Sequence, residues 1–279
     1  AAGTGLQYRP PPDLMKKLIF TLLIAAWPSV TLLNAEESSK PLSQAHAHND
    51  YYHKRPLLDA LSHGFCSVEA DVFLKNGKLL VGHFQFELRE KRSLESLYLE
   101  PLAKRVKANG GSVHKTKAPF HLMIDFKTDG PKTYAALQPL LEKYRFMLTE
   151  FGPDKTKTKA VTIVISGSRP RASMEKQAKR LAGYDGRMSD LGKGASPHFM
   201  PWISDSWRSH FKWRGKGDLP AAEQAKLKRI VQQAHKDGQK VRFWAAPDNP
   251  ATWAVLQQAG VDFINTDRLE ALANFLRAK

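Results

Sequence analysis

In these 279 residues, hydrophobic side chains make up 42% and charged ones 25%, which supplies a packed core and excludes wholesale disorder. The single cysteine, Cys66, excludes an internal disulfide framework and any cysteine-rich zinc or iron–sulfur site. Lys+Arg 43 against Asp+Glu 27 gives a formal charge of +16, which points to anionic partners: phosphate esters, nucleic acid or an acidic membrane surface.

Residues 1–35 stand apart. Met15-Lys16-Lys17 opens a charged start, residues 18–27 are an apolar run, Pro28 breaks it, and Leu33-Asn34-Ala35 ends on a small residue. This is the layout of a secretory signal peptide, with residues 1–14 as an upstream extension, and it predicts an exported protein, periplasmic or secreted. The run is too short to span a bilayer comfortably. Only Arg9, Asp13, Lys16 and Lys17 are charged there, so the basic excess belongs to the predicted mature domain, residues 36–279.

Residues 43–48 read as the first strand. A short helix follows over 56–63, with Pro56 at its start and Gly64 just past its end. Strands at 65–74 and 78–83 flank an Asn76-Gly77 hairpin turn. Apolar residues at helical spacing, Leu94, Leu97, Leu102 and Val106, predict a helix over 93–109 that ends at Gly110-Gly111. Strand and helix then alternate: strand 120–127 and helix 133–148, strand 161–166 and helix 172–182, strand 200–205 and helix 220–236. The pattern continues with strand 240–246 and helix 250–258, then strand 261–266 and helix 269–278. Repeated strand–helix units over this length predict an α/β fold of the (β/α)₈ TIM-barrel type. A doubly wound open sheet competes, but no Gly-rich nucleotide fingerprint follows any strand.

Chemistry concentrates on three segments. On strand 65–74, Glu69 and Asp71 share one face while Val68, Ala70 and Val72 share the other. In a barrel the apolar set faces the helices, so both carboxylates face the interior, where unpaired charge is costly and a hard cation such as Mg²⁺ or Ca²⁺ relieves it. On strand 120–127, Leu122, Ile124 and Phe126 take the helix-facing side. That leaves Asp125 and Lys127 together on the inner face at the carboxyl end, where barrel active sites are built. Asp125 completes a three-carboxylate metal site, and Lys127 meets an anionic oxygen. His46 and His48 share a face at the end of the first strand, followed by Asn49 and Asp50, and His83 ends the hairpin. Two imidazoles can divide general acid and base work around one phosphorus.

His46-Ala47-His48-Asn49, Glu69-Ala70-Asp71, His83 and Asp125-Phe126-Lys127 resemble the phospholipase C-like phosphodiesterase superfamily. That group includes glycerophosphodiester phosphodiesterases, phosphatidylinositol-specific phospholipase C and the sphingomyelinase D enzymes. Val241-Arg242-Phe243-Trp244 and the segment from Gly260 to Asp267 are similar to the closing strands of those barrels. His48-Asn49-Asp50-Tyr51 is similar to a branch that includes altered inheritance of mitochondria protein 6. The resemblance runs from about residue 44 to 272. It implies a phosphoric diester hydrolase acting on a glycerophosphodiester or phospholipid. His46 and His83 would be its catalytic histidines, one Mg²⁺ or Ca²⁺ would sit on Glu69, Asp71 and Asp125, and Lys127 would be on the phosphate, with Asn49 and Trp244 also facing substrate. Two departures stand out. Glycerophosphodiesterases carry Arg-Gly after the first histidine, where this chain has Ala47-His48 after His46. They also carry Asp after the second, where Phe84 stands. His48 therefore rivals His46.

Other readings remain. His46 and His48 with Asp267 suggest a metal-dependent amidohydrolase, although strands 161–166 and 200–205 lack the histidines that family needs. A non-catalytic envelope barrel that binds anionic lipid or glycan is a third. Trp202, Trp207 and Trp213 form either an aromatic wall over substrate or ordinary packing, and Lys155, Lys157 and Lys159 a solvated loop. No nucleic-acid-binding motif accompanies the charge, so the expected partners are a small phosphodiester or phospholipid and, peripherally, an anionic membrane surface.

Overall fold

Eight parallel strands with helices between them follow from the alternation of apolar and polar positions along each strand. The computed structural model describes residues 40–278; the predicted signal peptide and the upstream extension lie outside the described residues. The strands are β1 (Leu42–Ala47), β2 (Phe65–Lys75), β3 (Lys78–Val81), β4 (Phe120–Phe126), β5 (Glu150–Phe151), β6 (Thr156–Lys157), β7 (Val161–Gly167), β8 (Ala182–Gly186), β9 (Trp202–Ser206), β10 (Lys240–Trp244) and β11 (Ile264–Thr266). The barrel runs β1-β2-β4-β7-β8-β9-β10, with β11 beside β1, and every pairing in that order is parallel. A single parallel bridge, Arg242 to Phe263, joins the β10 and β11 ends, so the ring is nearly closed. The short β3 returns antiparallel along β2, outside the ring.

Two cores result, as the period-two reading requires. Val68, Ala70, Val72, Leu122, Ile124 and Phe126 are buried outward beneath the helices, each large one contributing about 1.5–3 kcal/mol. Inside the barrel, Met123, Val164, Trp202 and Phe263 form a separate apolar plug. The helices are α1 (Leu58–Ser62), α2 (Glu100–Ala108), α3 (Gly130–Lys143), α4 (Arg171–Glu175), α5 (Trp207–His210), α6 (Ala221–Lys236), α7 (Pro250–Gln258) and α8 (Leu269–Arg277). Asp129 caps α3 by accepting from Lys132 N, and Asn249 caps α7 by accepting from Thr252 N.

The expected helix over 172–182 is corrected. α4 ends at Glu175, and Ala182 opens β8, the barrel strand that the sequence reading lacked. Its composition hides it: a Cβ on Gly183 would lie 2.5 Å from Pro201 Cγ, and one on Gly186 2.4 Å from the Met200 sulfur. Close packing against the neighbouring strand thus demands glycine where strand propensity disfavours it. The helix expected over 133–148 stops at Lys143, and the one over 93–109 begins as a π-helical turn at Glu95–Leu99. No helix among the described residues is long and apolar enough to cross a membrane.

Candidate active site

At the carboxyl end of the barrel, Asp71 and Asp125 stand opposite each other on paired strands, and Glu69 lies one inward position deeper on β2. One carboxylate oxygen from each of the three lies within 4.8 Å of the other two. Lys127, whose N–H donates to Val72 O and so extends β4 past its end, places Nζ 2.9 Å from Asp71 Oδ2 and 2.9 Å from Asp125 Oδ1.

The electrostatics follow from that crowding. Burial and then the charge of Glu69 push Asp125 up to about 6, against the pull of Lys127. The same two causes raise Asp71. Burial works against charge on Lys127, but Asp125 and Asp71 outweigh it and hold the ammonium charged. Glu69 behaves differently. Burial raises it, yet the guanidinium of Arg242 overrides this and keeps it well below the usual carboxylate range. Arg242, itself buried, pairs with Glu69 Oε2 and donates through Nε to Asn265 Oδ1 at 2.8 Å.

Three features fit this cluster to a hard cation. Asp71 Oδ1 is buried without a hydrogen-bond partner. The oxygens of Asp71 and Asp125 are already spaced to share one positive charge, that of Lys127. Gly167, at φ 67°, leaves room beside Asp125, because a Cβ there would lie 2.5 Å from Asp125 Oδ1. All three candidate ligands are carboxylates, the donor type that Mg²⁺ and Ca²⁺ prefer.

Two histidines flank the carboxylates. His83, 37% exposed, puts Nδ1 2.9 Å from Asp71 Oδ2 and 3.1 Å from the Tyr51 hydroxyl. His48 extends β1 past its end, its N–H donating to Thr266 O at 3.0 Å. Its Nδ1 donates to Asp267 Oδ1 at 2.8 Å, which leaves Nε2 uncommitted to that carboxylate. Burial would depress His48, but the Asp267 hydrogen bond and the charge of Glu69 raise it.

His46 is the correction. It is fully buried below the mouth, with Nδ1 2.7 Å from Ser67 Oγ and its ring edge-on to Trp202 and Phe263. Burial, helped by Arg242, holds it down at about 3, so it stays neutral. It packs against the plug and meets the site only from beneath, its Nε2 3.5 Å from Glu69 Oε2. The two histidines of His46-Ala47-His48 bond to different partners, Ser67 and Glu69 for His46 and Asp267 for His48, so the convergent pair that an amidohydrolase needs is not formed.

Asn49 adopts φ 48°, a left-handed conformation that asparagine tolerates, and turns the chain out of β1. Its Oδ1 accepts from the Tyr51 hydroxyl at 2.6 Å, so the amide serves the rim's own network. Trp244 stands at the mouth, but one face is covered by the Arg187 guanidinium, 4.8 Å from the ring centroid. Trp202, Trp207 and Trp213 are all buried, so they pack and form no wall over substrate.

Three contributors escaped the sequence reading of the site. Tyr51 is the hub of the rim: its hydroxyl lies 2.6 Å from Asn49, 2.7 Å from Asp71 and 3.1 Å from His83. Arg242 left a faint signal, a charge between Val241 and Phe243 on the strand expected over 240–246. Asp267 enters the sequence reading only beside the amidohydrolase alternative, whereas here it orients His48.

Residues 39–185 match the AIM6-like phosphodiesterase domain, and residues 240–270 match the glycerophosphoryl diester phosphodiesterase family. The chain is 30% identical over 272 residues to altered inheritance of mitochondria protein 6 of Eremothecium gossypii, covering 84% of this chain and 69% of that protein. It is 29% identical over 262 residues to the homologue from Arthroderma benhamiae, covering 82% of each. Among solved structures, a glycerophosphodiester phosphodiesterase from Parabacteroides distasonis superposes with a TM-score of 0.51 at 15% identity, over 86% of this chain and 99% of that one. A putative glycerophosphoryl diester phosphodiesterase from Silicibacter pomeroyi also superposes with a TM-score of 0.51, at 12% identity, over 87% and 96%. These two likenesses concern the fold.

Proposed function

The chain belongs to the AIM6-like phosphodiesterase family, and on that premise we propose that its acidic mouth hydrolyses a phosphodiester of glycerophosphodiester or phospholipid type, with His48 and His83 as the acid–base pair. The observation that carries this reading is the convergence of Glu69, Asp71 and Asp125 within 4.8 Å, with Lys127 between two of them and a histidine on either flank.

Glu69, Asp71 and Asp125 are the residues that would hold one divalent cation, Mg²⁺ or Ca²⁺, which when bound supplies Lewis acidity to a phosphoryl oxygen. Lys127 contacts a second phosphoryl oxygen and offsets charge that grows in the transition state. His48, its imidazole oriented by Asp267, takes the proton of the attacking water at Nε2. As the new P–O bond forms, the P–O bond to the leaving alcohol breaks, and His83 delivers its proton to that oxygen. Arg242 acts indirectly by holding Glu69 ionised and fixed.

Turnover of bis(p-nitrophenyl) phosphate, measured after chelation and after adding back Mg²⁺ or Ca²⁺, tests the reading. Loss on chelation with recovery on addition is expected. Full turnover in the chelated protein, or His48→Ala as active as the parent, would overturn it.

A further inference from the structure

We propose that the rim bearing His83 is an interfacial surface on which the protein lies against an anionic lipid bilayer. Of the large hydrophobic side chains exposed among the described residues, three gather here: Tyr52 at 57%, Phe84 at 50% and Phe86 at 76% exposure. They form one aromatic strip. The Tyr52 ring lies 6.4 Å from that of His83, Phe84 packs edge-on to His83 at 4.5 Å, and Phe86 stacks on Phe84 at 5.4 Å with the planes 7° apart. His83 is thus both a member of the strip and a wall of the site.

The exposure is built in. Glu87 Oε2 accepts from His83 N at 2.7 Å and from Phe84 N at 3.0 Å, while Oε1 accepts from the Tyr52 hydroxyl at 2.9 Å. Arg89 closes the turn by donating to Phe86 O at 2.9 Å. This one carboxylate therefore pins the strip facing solvent, a costly arrangement for apolar rings with nothing to cover them.

The surrounding charge selects the partner. Of the acids of this turn, Glu90 is paired with Lys78, while Glu87 is held by neutral donors and keeps its single charge. The exposed Lys54, Arg89 and Lys91 have no carboxylate partner among the described residues. These three cations outnumber the one unpaired carboxylate, Glu87, and aromatic rings beside a net basic charge match the boundary between acyl chains and anionic headgroups. A bilayer seated there presents its headgroups directly to His83. If the phosphodiesterase reading holds, the substrate is then a membrane phospholipid taken without leaving the bilayer; the binding itself does not depend on that reading.

Cosedimentation of the full chain with vesicles of phosphatidylcholine alone, or with one third phosphatidylglycerol, is the test. The parent should bind the anionic vesicles and release as salt rises. Phe86→Ser should weaken partitioning roughly 10- to 100-fold, and Phe86→Trp should restore it with a blue shift of fluorescence. Turnover of bis(p-nitrophenyl) phosphate should be the same in Phe86→Ser and the parent. Failure of the parent to bind anionic vesicles, or equal binding by Phe86→Ser, overturns the proposal. So does a dimer that Phe86→Ser converts to monomer, since a second copy would then be what covers the strip. Binding lost in Phe86→Ser alongside no turnover in either protein upholds the surface and overturns the activity reading alone.

Discussion

The two mouths of the barrel divide room from chemistry: one opens on a cavity and the other crowds its charges together. At the amino-terminal mouth a cavity of about 570 Å³ is floored by Trp202 and Phe263, with His121 on its wall and a Lys240–Asp262 pair at its rim. Burial pushes His121 down to about 4, so it is neutral and poorly suited to proton transfer near pH 7. The carboxyl-terminal mouth packs three carboxylates, an ammonium and two histidines so closely that their charges perturb one another. Convergence of mutually costly groups, rather than volume, marks the site.

The largest effect should come from removing the cluster. Asp71→Asn or Asp125→Asn is expected to abolish measurable turnover and weaken Mn²⁺ binding, followed by calorimetry, while circular dichroism stays native. Undiminished Mn²⁺ affinity in both variants would break the contrast between the two mouths. Next come the histidines. His48→Ala should lower kcat roughly 10²–10⁴-fold. His46→Ala should instead lower stability, by about 1–3 kcal/mol in urea melts, because Ser67 Oγ loses its buried partner. The reverse pattern would return the catalytic role to the inner ring. Lys127→Ala should cut kcat roughly 10²-fold, with a loss that persists at high salt. A loss that disappears in salt would reduce Lys127 to a steering charge.

A pH experiment sharpens the picture of the rim. Asp50 is fully buried, its Oδ2 accepting from Leu57 N and the Tyr98 hydroxyl, and burial pushes it up to about 7. A carboxyl with a raised folded value keeps its proton while the unfolded chain releases it. Stability should therefore fall as pH rises from about 4 to about 7, by at most about 4 kcal/mol. Asp50→Asn should flatten that slope, as followed by thermal melts across the range. An unchanged slope would show that Asp50 ionises normally. The smallest effect belongs to the other mouth: His121→Phe should leave kcat unaltered.

Much of this was legible in the sequence, for a physical reason. Alternation on β2 and β4 sorts side chains between lumen and helix layer, so Glu69, Asp71, Asp125 and Lys127 could be placed on one face from residue order alone. The same alternation puts His46 and His48 on one face and cannot say which of them clears the plug. That depends on where β1 ends relative to its neighbours, and so on strand stagger, which only the assembled ring defines. β8 escaped because its glycines answer to Pro201 and Met200 across a strand boundary, not to any local propensity. Tyr51 escaped because its role exists only where the β1 loop meets β2 and the hairpin end.

The seam between β10 and β11 carries one further consequence. A single bridge joins those strands by backbone, yet Arg242 reaches across the lumen to Glu69 on β2 and sideways to Asn265 on β11. Its guanidinium therefore acts as a latch between the last staves and the second. Staves so distant in the chain meet late in folding, because their loop-closure entropy must be overcome before any contact rewards it. Until the latch engages, Glu69 faces the other carboxylates without its counter-charge. Assembly of the site and closure of the ring are thus one cooperative event, and a half-closed barrel is disfavoured by the same charges that the finished one uses.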